Sequence, residues 1–543
     1  MVVKGPLLLV LGVCVLNSLA NDGWVSEKSG DLSRENNGNL AESIVETKEK
    51  LSTKLRMEQM ELYARMKTQI DQNLEEIKKM QAKPIRPEDR PLEINTGDVR
   101  EDALLVGDQH LTLEQLEFVL RENSRRRKRQ AYTRGWPHNV WTYGYVYYYF
   151  DAAFSQNGRN FVNSAMRFYE KHTCIRFHEV DPNSDEFKPK IRIFRGSGCY
   201  SVIGRTSEKE QDLSLASWCE RFDSSAHELG HALGFIHAHA RHDRDDWLWI
   251  DESNIQKKYE SDYAKWPEDE NNNFGMRYDY RSIMHYKPTL WAVDSTKNVM
   301  VAHDSKYQQS IGSSQIPVFT DIALLNYLYQ CHTHCAGTER LNCSNGGYQN
   351  PNDCTRCYCP SGFGGADCKE RQAPSAGLTC GKTLTATVEW QIITQNDVVG
   401  DGKYVTANVT NPSICTYHIQ APVGSRIEYW INFIGFDGKR DALCYDRCYY
   451  GGLDMKGHTD NYQPEGYRLC CPAQYPEALR TVTNLLIIQA FNVYRYTDFM
   501  ITYRIIEGAV TSSTTTTQLP SDSTPTPLAP STTKQNTASF TEQ

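Results

Sequence analysis

The stretch His227-Glu228-Leu229-Gly230-His231-Ala232-Leu233-Gly234-Phe235-Ile236-His237, HELGHALGFIH, decides how this chain is read. On an α-helix, residues four apart share a face, so the imidazoles of His227 and His231 project together and can hold one ion. Glu228 lies one residue round the helix, placed to meet a water at the ion and not the ion itself, which is the position of a general base. Gly234 lets the helix stop and the chain turn sharply, so that His237 returns to the same ion. With 15 histidines in 543 residues, His-Glu-x-x-His alone arises by chance in about one such chain in forty; the added Gly and third His lower this to well under about one in ten thousand. Three neutral imidazoles leave a tetrahedral Zn2+ one open position, as in a catalytic site and unlike a closed structural one. Zinc with Glu228 accepting a proton from water points to hydrolysis at a carbonyl.

Outward from this motif, the chain is about three times the ~150 residues typical of one domain, so several modules are expected. It carries 59 Lys+Arg against 67 Asp+Glu, a net of −8, which gives no reason to expect nucleic acid as a partner and excludes a polybasic membrane binder. Mean hydropathy is −0.59, and the one long apolar run is at the N-terminus, so no transmembrane span is expected. Residues 1–20 run from Lys4 through LLLVLGVCVL to Ser18-Leu19-Ala20, the pattern of a signal peptide. Its removal takes Cys14 and leaves 16 of 17 cysteines, an even number that reads as a disulfide framework in an exported chain.

Residues 21–129 hold no cysteine; Leu51, Leu55, Leu62, Met66, Ile70, Leu74 and Ile77 mark an amphipathic helix within Glu42 to Gln81, and a second helix is expected from Leu113. They end in Arg125-Arg126-Arg127-Lys128-Arg129, read here as a furin-like processing site cut between Arg129 and Gln130, which makes 21–129 a propeptide. Residues 130–332 have the composition of a globular domain. In 335–369, Cys335, Cys343, Cys354, Cys357, Cys359 and Cys368 fall within 34 residues, too little chain for a core without disulfides. Residues 380–506 carry alternating apolar runs such as RIEYWINFIGF and read as an antiparallel sandwich. Residues 507–543 read as a Thr/Ser/Pro-rich stalk. Asn342-Cys343-Ser344 and Asn408-Val409-Thr410 are N-glycosylation sequons.

HELGHALGFIHAHARHDRD, followed by SIMHY at 282–286, resembles the astacin family of metzincin peptidases, and the module order resembles secreted nematode astacins. The resemblance implies an α+β, two-lobed protease domain with an active-site helix and mixed sheet, a small EGF-like module ending in Cys357-Tyr358-Cys359, and an all-β CUB sandwich opening at Cys380-Gly381. It implies a Met-turn with Met284 beneath the histidines, and Tyr286 as a further zinc ligand that swings away and stabilises the oxyanion. It implies bridges Cys174–Cys331 and Cys199–Cys219, a disulfide for Cys380 and Cys415, and more than one way to pair Cys444, Cys448, Cys470 and Cys471. Cys199-Tyr200-Ser201 with Gly204-Arg205 matches the edge strand that takes the substrate backbone. Leu105-Val106-Gly107-Asp108 resembles the inhibitory Gly-Asp motif whose carboxylate sits on zinc; Asn95-Thr96-Gly97-Asp98 competes, and Asp108 is preferred because Leu111-Thr112 and a helix follow. Asp446 is put forward for Ca2+ in the CUB module.

Two departures concern activation: Ala238 stands where the family has Glu, and cleavage exposes Gln130, which can cyclise and lose its charge. Relatives carry a basic residue that selects an acidic side chain just after the scissile bond, yet Ile311-Gly312-Ser313-Ser314 has none, so Arg221 is expected to supply it. The expected function is a secreted zinc endopeptidase made as a zymogen, activated by a furin-like protease and acting on extracellular or matrix proteins, with matrix or cuticle components among the expected partners. The alternative is an inactive binding scaffold that uses its EGF-like and CUB modules.

Overall fold

The computed structural model of the chain describes residues 103–106, 108–112, 131–132 and 139–506, apart from 207–208, 269, 404–409, 460–461 and 476. The expected signal peptide, the helices in 42–81 and from Leu113, Asp98, the Arg129–Gln130 processing site, Asn408 and the stalk lie outside the described residues.

The first lobe grows from alternation in the sequence. VYYYF lies in a strand whose side chains alternate between solvent and core. Two short strands, β1 (Ala103–Val106) and β2 (Gln109–Thr112), form a hairpin, and β3 (Ala131–Tyr132) pairs with Asn271–Asn272. They precede β4 (Tyr145–Phe150), β5 (Arg176–Glu179), β6 (Lys190–Phe194), β7 (Tyr200–Val202) and β8 (Glu210–Ser214). One seven-stranded sheet runs in the order β1-β2-β7-β8-β6-β4-β5. Strands β5, β4, β6 and β8 are parallel, and β7 turns antiparallel to β8, on the side where the β1-β2 hairpin joins the sheet. The crossover that parallel strands require is helix α1 (Gln156–His172). Ser155 caps it by accepting the Gly158 N–H at 2.9 Å. Its Val162, Ala165, Met166 and Tyr169 join Ile191, Ile193 and Leu213 of the sheet in one core.

Helix α2 (Phe222–Ala232) is buried along all its 11 residues although it carries Asp223, Ser224, Ser225, His227, Glu228 and His231. Polar side chains at that density inside a helix need specific partners, or they prevent folding. The Tyr169 hydroxyl ties α1 to α2 by donating to the Ala226 carbonyl at 2.7 Å. Helix α3 (Phe319–Leu328) closes the lobe, and Cys174 is bridged to Cys331 just beyond it.

The small module at 335–371 has bridges Cys335–Cys354, Cys343–Cys357 and Cys359–Cys368 around two short hairpins. Beyond it a five-stranded and a four-stranded sheet face each other as the alternating apolar runs require, with Tyr417, Ile419, Tyr429, Ile431, Ile488, Phe499 and Ile501 in the core between them. The sandwich is not tethered at a distance. Asp454 receives Nε and Nη2 of Arg468, each at 2.8 Å, and Arg281 from the preceding domain at 2.9 Å. All three residues are buried. The Glu465 N–H donates to Asp279 at 2.9 Å, and Arg468 N–H to the Ser310 hydroxyl at 2.8 Å. Sequence patterning does not reveal this junction, because its charged residues read as ordinary solvated surface.

Removing one partner of a buried charge pair strands the other, at a cost of about 3–5 kcal/mol. Asp454→Ala is therefore expected to lower the thermal unfolding midpoint of the intact chain clearly. A midpoint equal to wild type would show that Arg281 and Arg468 find other partners.

Candidate metal centre

The end of α2 follows from its sequence. The Phe235 N–H bonds to the Gly230 carbonyl at 3.0 Å and the Gly234 N–H to the His231 carbonyl at 2.8 Å, a Schellman stop with Gly234 in the positive-φ position at φ +107°. The chain then doubles back, and the Ala238 N–H donates to the Met284 carbonyl at 2.9 Å. This brings His237 beside the two helical histidines.

The three Nε2 atoms form a triangle with sides of 3.1, 3.2 and 3.3 Å. The ring Nδ1 of His227 contacts the Ile283 carbonyl and that of His231 the Phe235 carbonyl, each at 2.8 Å. Nδ1–H donation in that geometry leaves the Nε2 lone pairs pointing inward. Into the triangle comes the Asp108 carboxylate, with Oδ1 at 2.6 Å from His237 and 3.4 Å from His231 and Oδ2 at 3.0 Å from His227. Converging lone pairs and a carboxylate, all buried, repel unless a positive charge lies among them. A tetrahedral zinc ion bound at about 2.0–2.1 Å separates its donors by about 3.3–3.4 Å, so the set fits that ion. Among the described residues no other group of His, Cys, Asp and Glu gathers in this way.

The electrostatics agree. Burial opposes charge on each imidazole, so His237 is pushed down to about 3 and His231 also falls. At His227 burial again opposes charge, but Asp108 outweighs it and the net direction is upward. Asp108 is held well below the ordinary carboxylate range: burial works against this, and His237 and His227 overcome it. Glu228 is displaced the other way, its carboxyl raised by burial and then by the Asp108 charge. Its Oε2 is buried and has no hydrogen-bond partner, an acceptor left for a group that arrives with a reactant. The Tyr286 ring lies 4.2 Å from that of His237, and its hydroxyl is within 3.5 Å of Asp108 Oδ1.

Support comes from behind. Met284 is fully buried, and a Cβ on Gly230 would meet its sulfur at 2.7 Å, so glycine in the helix admits the methionine. Asp321, in the first turn of α3, accepts the Ser282 hydroxyl at 2.6 Å and the Ile283 and Val318 N–H groups at 2.9 Å. It thereby positions the carbonyl that orients His227. Sequence reasoning missed Asp321; its one signal was an acidic residue at a helix start.

Asp108 occupies the turn of the β1-β2 hairpin, and β2 pairs with β7 in parallel, Gln109 opposite Ser201 and His110 opposite Val202. The structure pairs Cys199 with Cys219, Cys380 with Cys415, Cys444 with Cys471 and Cys448 with Cys470. Asn342 is exposed. Ala238 is buried. Two further expected residues have partners within the protein. Arg221 does not offer a free guanidinium: it holds Asp223 through two hydrogen bonds, Nε–Oδ1 at 3.0 Å and Nη2–Oδ2. The Asp446 carboxylate meets Lys287 at 3.0 Å and Arg447 at 3.5 Å, and two cations there oppose a third.

The family model for the astacin peptidases matches residues 134–330. The chain is 35% identical to zinc metalloproteinase nas-31 of Caenorhabditis elegans over 452 residues, covering 80% of this chain and 70% of that one. It is 35% identical to zinc metalloproteinase nas-27 of the same organism over 372 residues, 66% of this chain and 83% of that one. Among solved structures, high choriolytic enzyme 1, a hatching enzyme zinc-protease from Oryzias latipes, aligns at 28% identity with a TM-score of 0.34, covering 37% of this chain and 98% of that one.

Gly312 sits at φ +62°, and an added Cβ would lie 2.6 Å from the Tyr286 carbonyl oxygen. Gly312→Ala is expected to destabilise the protein by at least about 1–3 kcal/mol and to lower peptide hydrolysis by displacing Tyr286. Calorimetry and kcat on one preparation check both; wild-type values would show that the loop moves freely.

Proposed function

This chain belongs to the astacin family of zinc metalloendopeptidases, and from that premise we propose that it is exported as a latent precursor and cuts extracellular proteins once its N-terminal segment is removed. The observation that carries the reading is the triangle of His227, His231 and His237 with the unpartnered Glu228 oxygen beside it and a carboxylate from Asp108 inside it.

His227, His231 and His237 would hold the zinc ion, which would supply Lewis acidity towards a peptide carbonyl and a water. The protein's own groups do the rest. An extended substrate lies along the β7 edge, where backbone pairing fixes the scissile carbonyl. Glu228 takes a proton from the attacking water and returns it to the departing amine. The Tyr286 hydroxyl, buried at the same site, donates to the oxygen that gains charge as the carbonyl carbon becomes tetrahedral.

Latency follows from occupancy of the same space. While Asp108 fills the triangle and β2 covers the β7 edge, neither water nor substrate can take its place. Cleavage after Arg129 by a furin-like protease releases both. Residues 1–20 as a signal peptide, eight disulfides among the described residues and the exposed sequon at Asn342 support export to an oxidising compartment. Matrix or cuticle proteins are the substrates this setting favours.

Glu228→Gln tests the chemistry: the variant is expected to keep stoichiometric zinc and lose roughly 10²–10⁴-fold in kcat. Wild-type turnover by a zinc-loaded variant would refute the assignment. Latency has its own test. An uncleaved precursor carrying Arg127→Ala and Arg129→Ala is expected to be inactive, and adding Asp108→Ala to it should restore measurable hydrolysis. A precursor that is fully active with Asp108 in place would remove the latency mechanism.

A further inference from the structure

Beside the zinc ligands lies a pocket whose wall the protease does not complete alone. Its wall includes Asp223, His227, Lys287, Gly312, Ser314 and Arg447. The first five belong to the protease. Arg447 belongs to the C-terminal sandwich, and its Nη1 reaches the Gly312 carbonyl at 3.5 Å. It thus enters the uncharged stretch Ile311-Gly312-Ser313-Ser314 from 135 residues further along the chain.

The loop that carries it is held on both sides. Cys444 is bridged to Cys471 and Cys448 to Cys470, so Arg447 stands between two anchored cysteines. Arg447 and Cys448 both adopt left-handed backbone, at φ +55° and +53°, which residues other than glycine hold only where the surroundings enforce it. A guanidinium held in this way loses little freedom when it meets a ligand.

The charges do not cancel. Arg221 is engaged with Asp223, and Asp446 lies between Lys287 and Arg447, so three cations face two carboxylates. The pocket therefore has one positive charge in excess next to His227, and an anionic side chain is its complement.

We propose that Arg447 of the sandwich, together with Lys287, completes the specificity pocket of the peptidase and selects Asp or Glu beside the scissile bond. The proposal rests on the peptidase reading above and gives the sandwich a direct part in substrate choice. An acidic side chain there pairs with the guanidinium while Asp446 keeps its contact with Lys287.

The test is a peptide library read on both sides of the scissile bond, followed by matched Asp, Leu and Lys substrates, with full-length activated enzyme. Wild type is expected to prefer Asp over Leu by about tenfold in kcat/KM, the scale of one charge-assisted hydrogen bond. Arg447→Gln should remove most of that ratio, Arg447→Lys should keep part of it, and Arg447→Glu should turn the preference towards Lys. Lys287→Gln provides a second reading should the Arg447 variants not be secreted. A wild-type profile without acidic preference overturns the proposal. So does an Asp-to-Leu ratio that is the same in wild type, Arg447→Gln and Lys287→Gln; cleavage of the Leu peptide then leaves the peptidase reading standing. A zinc-loaded wild type that cleaves no peptide overturns both.

Discussion

Three imidazole Nε2 atoms held 3.1 to 3.3 Å apart in a buried site turn their lone pairs on one another, and the rest of the protease is organised to hold them there until a cation makes the arrangement favourable. Helix α2 supplies two of them and must then stop at once, which the positive-φ glycine at 234 allows. The Met-turn supplies the carbonyl that orients His227, and Asp321 fixes the Met-turn. A buried polar site of this kind costs folding energy without its ion, so metal binding and folding of this lobe are expected to be coupled.

The same positive charge explains why an acidic turn suits the site as a plug. Asp108 is buried completely, and a carboxylate in that position is tolerable only opposite a cation. The hairpin that carries it extends the sheet at the β7 edge, so one short segment covers both the metal position and that edge. Its strand runs parallel to β7.

The C-terminal sandwich is part of this machinery. Its Asp454 and Arg468 lock onto Arg281, which immediately precedes the SIMHY turn. On the other side of that turn, Lys287 meets Asp446. The Met-turn is therefore held from the sandwich at both ends, a different arrangement from a binding module on a linker. Ion pairs as buried as those among Arg281, Asp454 and Arg468 add little net stability over apolar packing, but their geometric demands set the register between domains.

Local spacing alone determined that His227 and His231 share a helical face, that Gly234 ends the helix, and that the alternating runs after Cys380 form a sandwich, because each depends only on the periods of helix and strand. Clustered cysteines likewise announced a module too small for a core. Tertiary structure alone decided the partners of charged side chains. Arg221 was available in sequence but lies two residues from Asp223, which takes its guanidinium; Asp446 was available for calcium but meets Lys287. Arg447 carried no sign of its place, since a charged residue on a loop reads as solvated surface until the fold brings it, across 135 residues, to the carbonyl of Gly312. Periodicity is written locally in the chain, whereas electrostatic partnership depends on distance in space, and only the packed structure sets that distance.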